Sequence, residues 1–69
     1  MLKTKEELTR MTLDEIAEYV DLIEANGIVD EFEYLEWTDM VLVEVLDEKN
    51  IGDEEFGEAL KRALQKRIS

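Results

Sequence analysis

Carboxylates are the only side chains numerous enough here to do chemistry: between Thr12 and Glu58 stand seventeen Asp and Glu residues against one base, Lys49. Such a set could move protons, hold a cation or face a basic surface. Proton transfer needs a pair singled out by burial and a shifted pKa, and no pair stands out among nineteen acids. The chain has no His and no Cys, so neither the terminal Ser69 nor any Thr has a partner that would activate its hydroxyl, and the usual transition-metal ligands are missing. A non-enzymatic protein with no cofactor and no specific metal is expected. The segment from Asp47 to Glu58 has Asp, Gly and Glu at the first, sixth and twelfth positions of an EF-hand calcium loop. It fails at the third and fifth positions, where Lys49 and Ile51 replace oxygen donors. The segment is better explained as a junction between helices, with Gly52 for the turn and Asp53 as N-cap.

Recognition of a basic surface is the use that the spacing favours. Glu33, Glu36, Glu44, Asp47 and Glu48 share one side of a helical projection. From Glu33 to Glu44 is roughly 16 Å along a helix axis, and charges at turn intervals on a rigid rod resemble a phosphate backbone, with its charge about every 3.4 Å per strand. Glu44 and Glu48 form an i,i+4 like-charge pair, which destabilises a helix by a few tenths of a kcal/mol. A helix selected only for solubility mixes Lys with Glu, and this one does not. The plain alternative is a solvated face. The sharper expectation is an inhibitor or regulator that occupies the basic site of a DNA- or RNA-binding protein. In size and charge alone the chain is similar to small acidic proteins of phages and mobile elements that act in this way.

A second candidate surface is apolar. Phe32, Met40 and Val43 project away from the expected core face, with Glu36 and Asp39 between them. This strip either meets another chain or packs under the N-terminal segment. The alternative function is therefore a small structural or assembly subunit that self-associates, with a homodimer as one outcome.

The formal net charge of −11 disfavours direct binding to nucleic acid or to anionic membranes. No apolar run approaches the ~18 residues of a membrane span and no signal-peptide pattern opens the chain, so a cytoplasmic location is expected. The bases cluster at the ends: Lys3, Lys5 and Arg10 near one, and Lys61, Arg62, Lys66 and Arg67 near the other.

These surfaces need helices to carry them. With no Pro, and with Gly only at 27, 52 and 57, the chain has few breakers. The expectation is one all-α domain over residues 1–69, a three-helix bundle with helices about 13–25, 31–49 and 54–67. Thr12 and Glu15 make a capping box for the first, and Leu13, Ile16, Ala17, Tyr19, Val20 and Ile23 form its apolar side. Thr4 and Glu7 repeat that signature and allow a short extra N-terminal helix. Tyr34, Leu35, Trp37, Val41, Leu42, Val45 and Leu46 form the core face of the central helix, although alternation of Val41, Val43 and Val45 also suits a strand. Phe56, Ala59, Leu60, Ala63 and Leu64 form the stripe of the last helix, whose acids lie in its first turn and bases in its last, as the helix dipole favours.

Overall fold

Two Thr hydroxyls start the first two helices. The computed structural model describes residues 2–27 and 30–69. Thr4 Oγ1 accepts from the Glu7 N–H at 3.3 Å while Glu7 Oε1 accepts from the Thr4 N–H at 3.1 Å, opening α1 (Lys5–Thr9). Thr12 and Glu15 repeat the exchange at 3.2 and 2.8 Å and open α2 (Leu13–Ala25). Gly27, at φ +88°, follows the α2 C-cap residue Asn26 in the left-handed geometry that glycine adopts without strain. The Asp30 carboxylate caps α3 (Glu31–Trp37), which continues through a π-helical turn (Thr38–Leu42) into α4 (Val43–Glu48). Every junction residue stays helical, so α3, the π turn and α4 form one rod. Among the described residues there is no strand, and the helical form of residues 40–46 is settled.

The rod ends in a Schellman motif: the Ile51 N–H donates to the Leu46 carbonyl at 2.9 Å and the Asn50 N–H to Asp47 at 3.1 Å. Asn50 takes the left-handed position, φ 59°. α5 (Asp53–Ile68) follows, and its N-cap is Gly52, not Asp53. Glu55 Oε1 accepts from the Gly52 N–H at 3.1 Å, which is the carboxylate half of a capping box, and Gly52 has no side chain to supply the other half.

The π turn decides which side of the rod is core. The Val43 N–H reaches back five residues to Thr38, and the Thr38 hydroxyl donates to the Tyr34 carbonyl at 2.9 Å, a local bond that bends a helix. A π turn carries one extra residue and so delays the rotation by about 100°. In an unbroken α-helix Leu46 would lie about 180° round from Trp37; with the delay it lies at about 80°, near Tyr34 at about 60°. Trp37, Leu42 and Val45 are thus buried together with Leu8, Ile16 and Val20, and Tyr34, Val41 and Leu46 pack against them. The same rotation carries Leu35 away from the core. Leu35 is 61% exposed, which corrects its expected place on the core face.

The second packing layer joins α2 to α5 through small residues. Ala17, Ala59 and Ala63 are buried against one another, bordered by Leu13, Phe56 and Leu60, whereas Leu64 is exposed despite its place in the expected stripe. Arg62–Asp14, Lys66–Glu18 and Arg67–Asp21 pair at 2.7, 3.4 and 2.7 Å. The pairs climb both helices together, so α2 and α5 run parallel.

Candidate functional site

Three hydrogen bonds seat the N-terminal segment against the rod and α2. The Trp37 indole Nε1–H donates to the Lys3 carbonyl at 2.8 Å, and the Lys3 N–H donates to the Tyr19 hydroxyl at 3.0 Å. Tyr34 stacks on Trp37 with ring centres 5.9 Å apart, and Tyr19 meets it edge-on at 6.0 Å. Lys49, the one base of the acidic stretch, donates from Nζ to the Thr9 carbonyl at 2.8 Å and so closes the C-terminal end of α1.

With α1 so placed, Lys5 lies across α4. Its Nζ is 2.7 Å from Glu44 Oε1 and 2.9 Å from Glu48 Oε2. Those hydrogen bonds, first to Glu44 and then to Glu48, hold the ammonium above the ordinary lysine range. The like-charge pair that marked this face in the sequence is therefore compensated, and the expectation of an uncompensated row from Glu33 to Glu48 is corrected. Asp14, Glu18 and Asp21 of α2 are compensated likewise by α5, and Arg62 pairs with Asp14 rather than with Glu58 one turn before it. These exposed pairs are worth about 0–1 kcal/mol each, yet they fix which charges face solvent without a partner.

The largest group of acids without a base partner lies at the other end of the rod; Glu6, Glu15, Asp53, Glu54 and Glu55, in the first turns of α1, α2 and α5, also lack one among the described residues. Among the described residues no base pairs with Glu24, Asp30, Glu31, Glu33, Glu36 or Asp39. Asp47 also lacks one, beyond the π turn. Of the five acids singled out in sequence, Glu33, Glu36 and Asp47 keep their character while Glu44 and Glu48 are engaged by Lys5.

The apolar strip lies among the unpaired acids. Phe32, Met40 and Val43 are 77%, 64% and 52% exposed, so the described N-terminal segment does not cover them. Leu35 joins them; helix geometry places Phe32, Leu35 and Val43 on the arc opposite Trp37, with Met40 between that arc and Trp37. Beside Met40 an open groove of about 340 Å³ is lined by Leu2, Glu33, Glu36, Trp37, Met40 and Val41. A smaller hollow of about 230 Å³ on the α2–α5 seam is lined by the Asp14, Glu18, Arg62 and Lys66 side chains that already pair with one another. No three carboxylates of the described residues converge on a point where a metal could sit. No helix of the described residues is long and apolar enough to cross a membrane.

The chain matches no family model, and neither a curated protein nor a solved structure similar to it was found.

Proposed function

We propose that this protein is a non-enzymatic binding module of the cytoplasm that presents the outer side of α3 to a basic surface on another protein. The observation that supports this most is the coincidence of exposed apolar residues with unpaired acids: Phe32, Leu35 and Met40 stand among Asp30, Glu31, Glu33, Glu36 and Asp39. Interfaces have an apolar centre and a polar rim, and a rim of one sign selects and steers a partner of the other. The partner is then a protein with an apolar depression flanked by Lys and Arg. A nucleic-acid-binding protein inhibited at its phosphate site is the sharpest version, and the apolar centre adds to it a contact that a phosphate backbone does not make.

Self-association through the same strip is the weaker reading. A two-fold interface sets a surface against itself, so the acids of one copy would face those of the other at a cost of several kcal/mol.

The reading is tested by affinity capture from the native host with wild type, a Glu33→Lys/Glu36→Lys/Asp39→Lys variant and a control variant, Glu6→Lys/Glu54→Lys. A basic protein retained by wild type and control but lost by the triple variant is expected. Equal retention by all three overturns it, as does sedimentation of wild type as a stable dimer that Val43→Glu splits.

A further inference from the structure

We propose that the groove beside Met40 is a seat for a single arginine side chain of the partner. This inference rests on the reading above and gives it a chemical anchor.

The groove combines two features that an arginine needs. Its apolar lining is Leu2, Trp37, Met40 and Val41, with Trp37 the most buried of them, and suits the three-methylene stem. Its acidic lining comes from Glu33 and Glu36, which no base of the described residues neutralises. Lys3, next to Leu2 in sequence, is turned elsewhere: its Nζ is 3.9 Å from Glu7 Oε2 and 5.3 Å from the centre of the Tyr19 ring.

The geometry favours arginine over lysine. Glu33 and Glu36 are three residues apart on one helix, where Cβ atoms lie about 5–6 Å from each other. One planar guanidinium, with five N–H donors in a fixed fork, reaches two carboxylates at that spacing. An ammonium is a compact, strongly hydrated charge and gains less in so open a groove. Trp37 is only 7% exposed and already stacked on Tyr34, so it serves as an apolar base and not as an open face for a cation.

The test titrates the isotope-labelled full chain with N-acetyl-arginine amide, the uncharged analogue N-acetyl-citrulline amide and N-acetyl-lysine amide. The Trp37 indole N–H and the Met40 methyl are followed by NMR. The arginine compound should move both signals saturably, the lysine compound should bind less tightly, and the citrulline compound should leave both signals in place. Glu33→Gln/Glu36→Gln should weaken arginine binding by about fivefold, as expected for two exposed charge pairs, and Asp53→Asn/Glu54→Gln should not. Met40→Lys, which brings a tethered ammonium to the rim, should abolish it. Equal shifts from arginine and citrulline, or arginine binding unchanged by Glu33→Gln/Glu36→Gln, overturn the proposal. If that happens while the triple lysine variant still loses its partner, only the arginine seat falls; if the partner is also retained, the acidic-face reading falls with it.

Discussion

Lys5 shows how one side chain reassigns a surface. Spanning Glu44 and Glu48, it turns a repulsive pair into a three-charge cluster that ties α1 to α4. Lys5→Gln should lower the melting temperature, whereas the same change in a Glu44→Gln/Glu48→Gln background should cost little; equal losses in both backgrounds would show that the cluster is not coupled. The pH response follows from the neighbouring groups. The Thr4 N–H, the largest influence on the Glu7 carboxylate, holds it below the ordinary range in the fold. Its contribution is therefore present above the ordinary glutamate range and lost as pH falls through the folded value. Glu7→Gln should flatten the acid side of the stability profile. Lys5 is raised by its carboxylate partners and Tyr34 by burial, from ordinary values of 10.5 and 10.0. Their contributions are complete below those values and decline as pH climbs through the folded ones, so melting should weaken above pH 10. Both capping boxes were legible because their partners stand three residues apart. The Lys5–Glu44 contact spans 39 residues, and no local rule announces it.

At the scale of elements the π turn is the controlling feature. It brings Trp37 and Leu46 to one side and leaves Leu35 on the other, a sorting that a uniform 100° rotation misses. The sequence shows Thr38, yet a Thr inside a helix bends it only where packing rewards the bend. Thr38→Val should cost about 1 kcal/mol through the lost bond to the Tyr34 carbonyl. Deleting Asp39 should be tolerated better than removing a residue from the α-helical part of the rod, since a straight helix one residue shorter keeps Val45 and Leu46 on the side of Trp37; circular dichroism of that variant should still show a cooperative melt, and loss of cooperativity would show that the turn does more than set the phase. The helix ends were easier to place than their chemistry. Asn26-Gly27 and Asn50-Ile51-Gly52 both mark true stops, but at the second Asn50, and not a glycine, takes the left-handed position.

For the whole molecule, the charge pattern is a division of labour. The bases of α5 face the acids of α2, and Lys5 serves α4, while α3 is left with acids alone. The basic tail had a sufficient explanation in the helix dipole, so its second role facing α2 across 46 to 48 residues stayed hidden. With a formal net charge of −11, added salt should screen more repulsion than attraction and raise the melting temperature. Arg62→Gln/Lys66→Gln/Arg67→Gln should melt lower and respond to salt more steeply. A melt indifferent to salt would mean that internal pairing balances the excess.

The alanine seam under α5 has a consequence for the order in which the molecule comes apart. Alanine side chains bury little apolar area, and the ion pairs bordering them are exposed, so α5 is held mainly by Phe56 and Leu60 where they meet the larger cluster. The rod, α1 and α2 share Leu8, Ile16, Trp37 and Val45 and should open only with the whole fold. Native-state hydrogen exchange should therefore find the amides of α5 exchanging through a separate partial opening, earlier than those around Val20 and Val45. In that opened form the bases of α5 leave the acids of α2, and the exposed negative field extends from α3 onto a second helix.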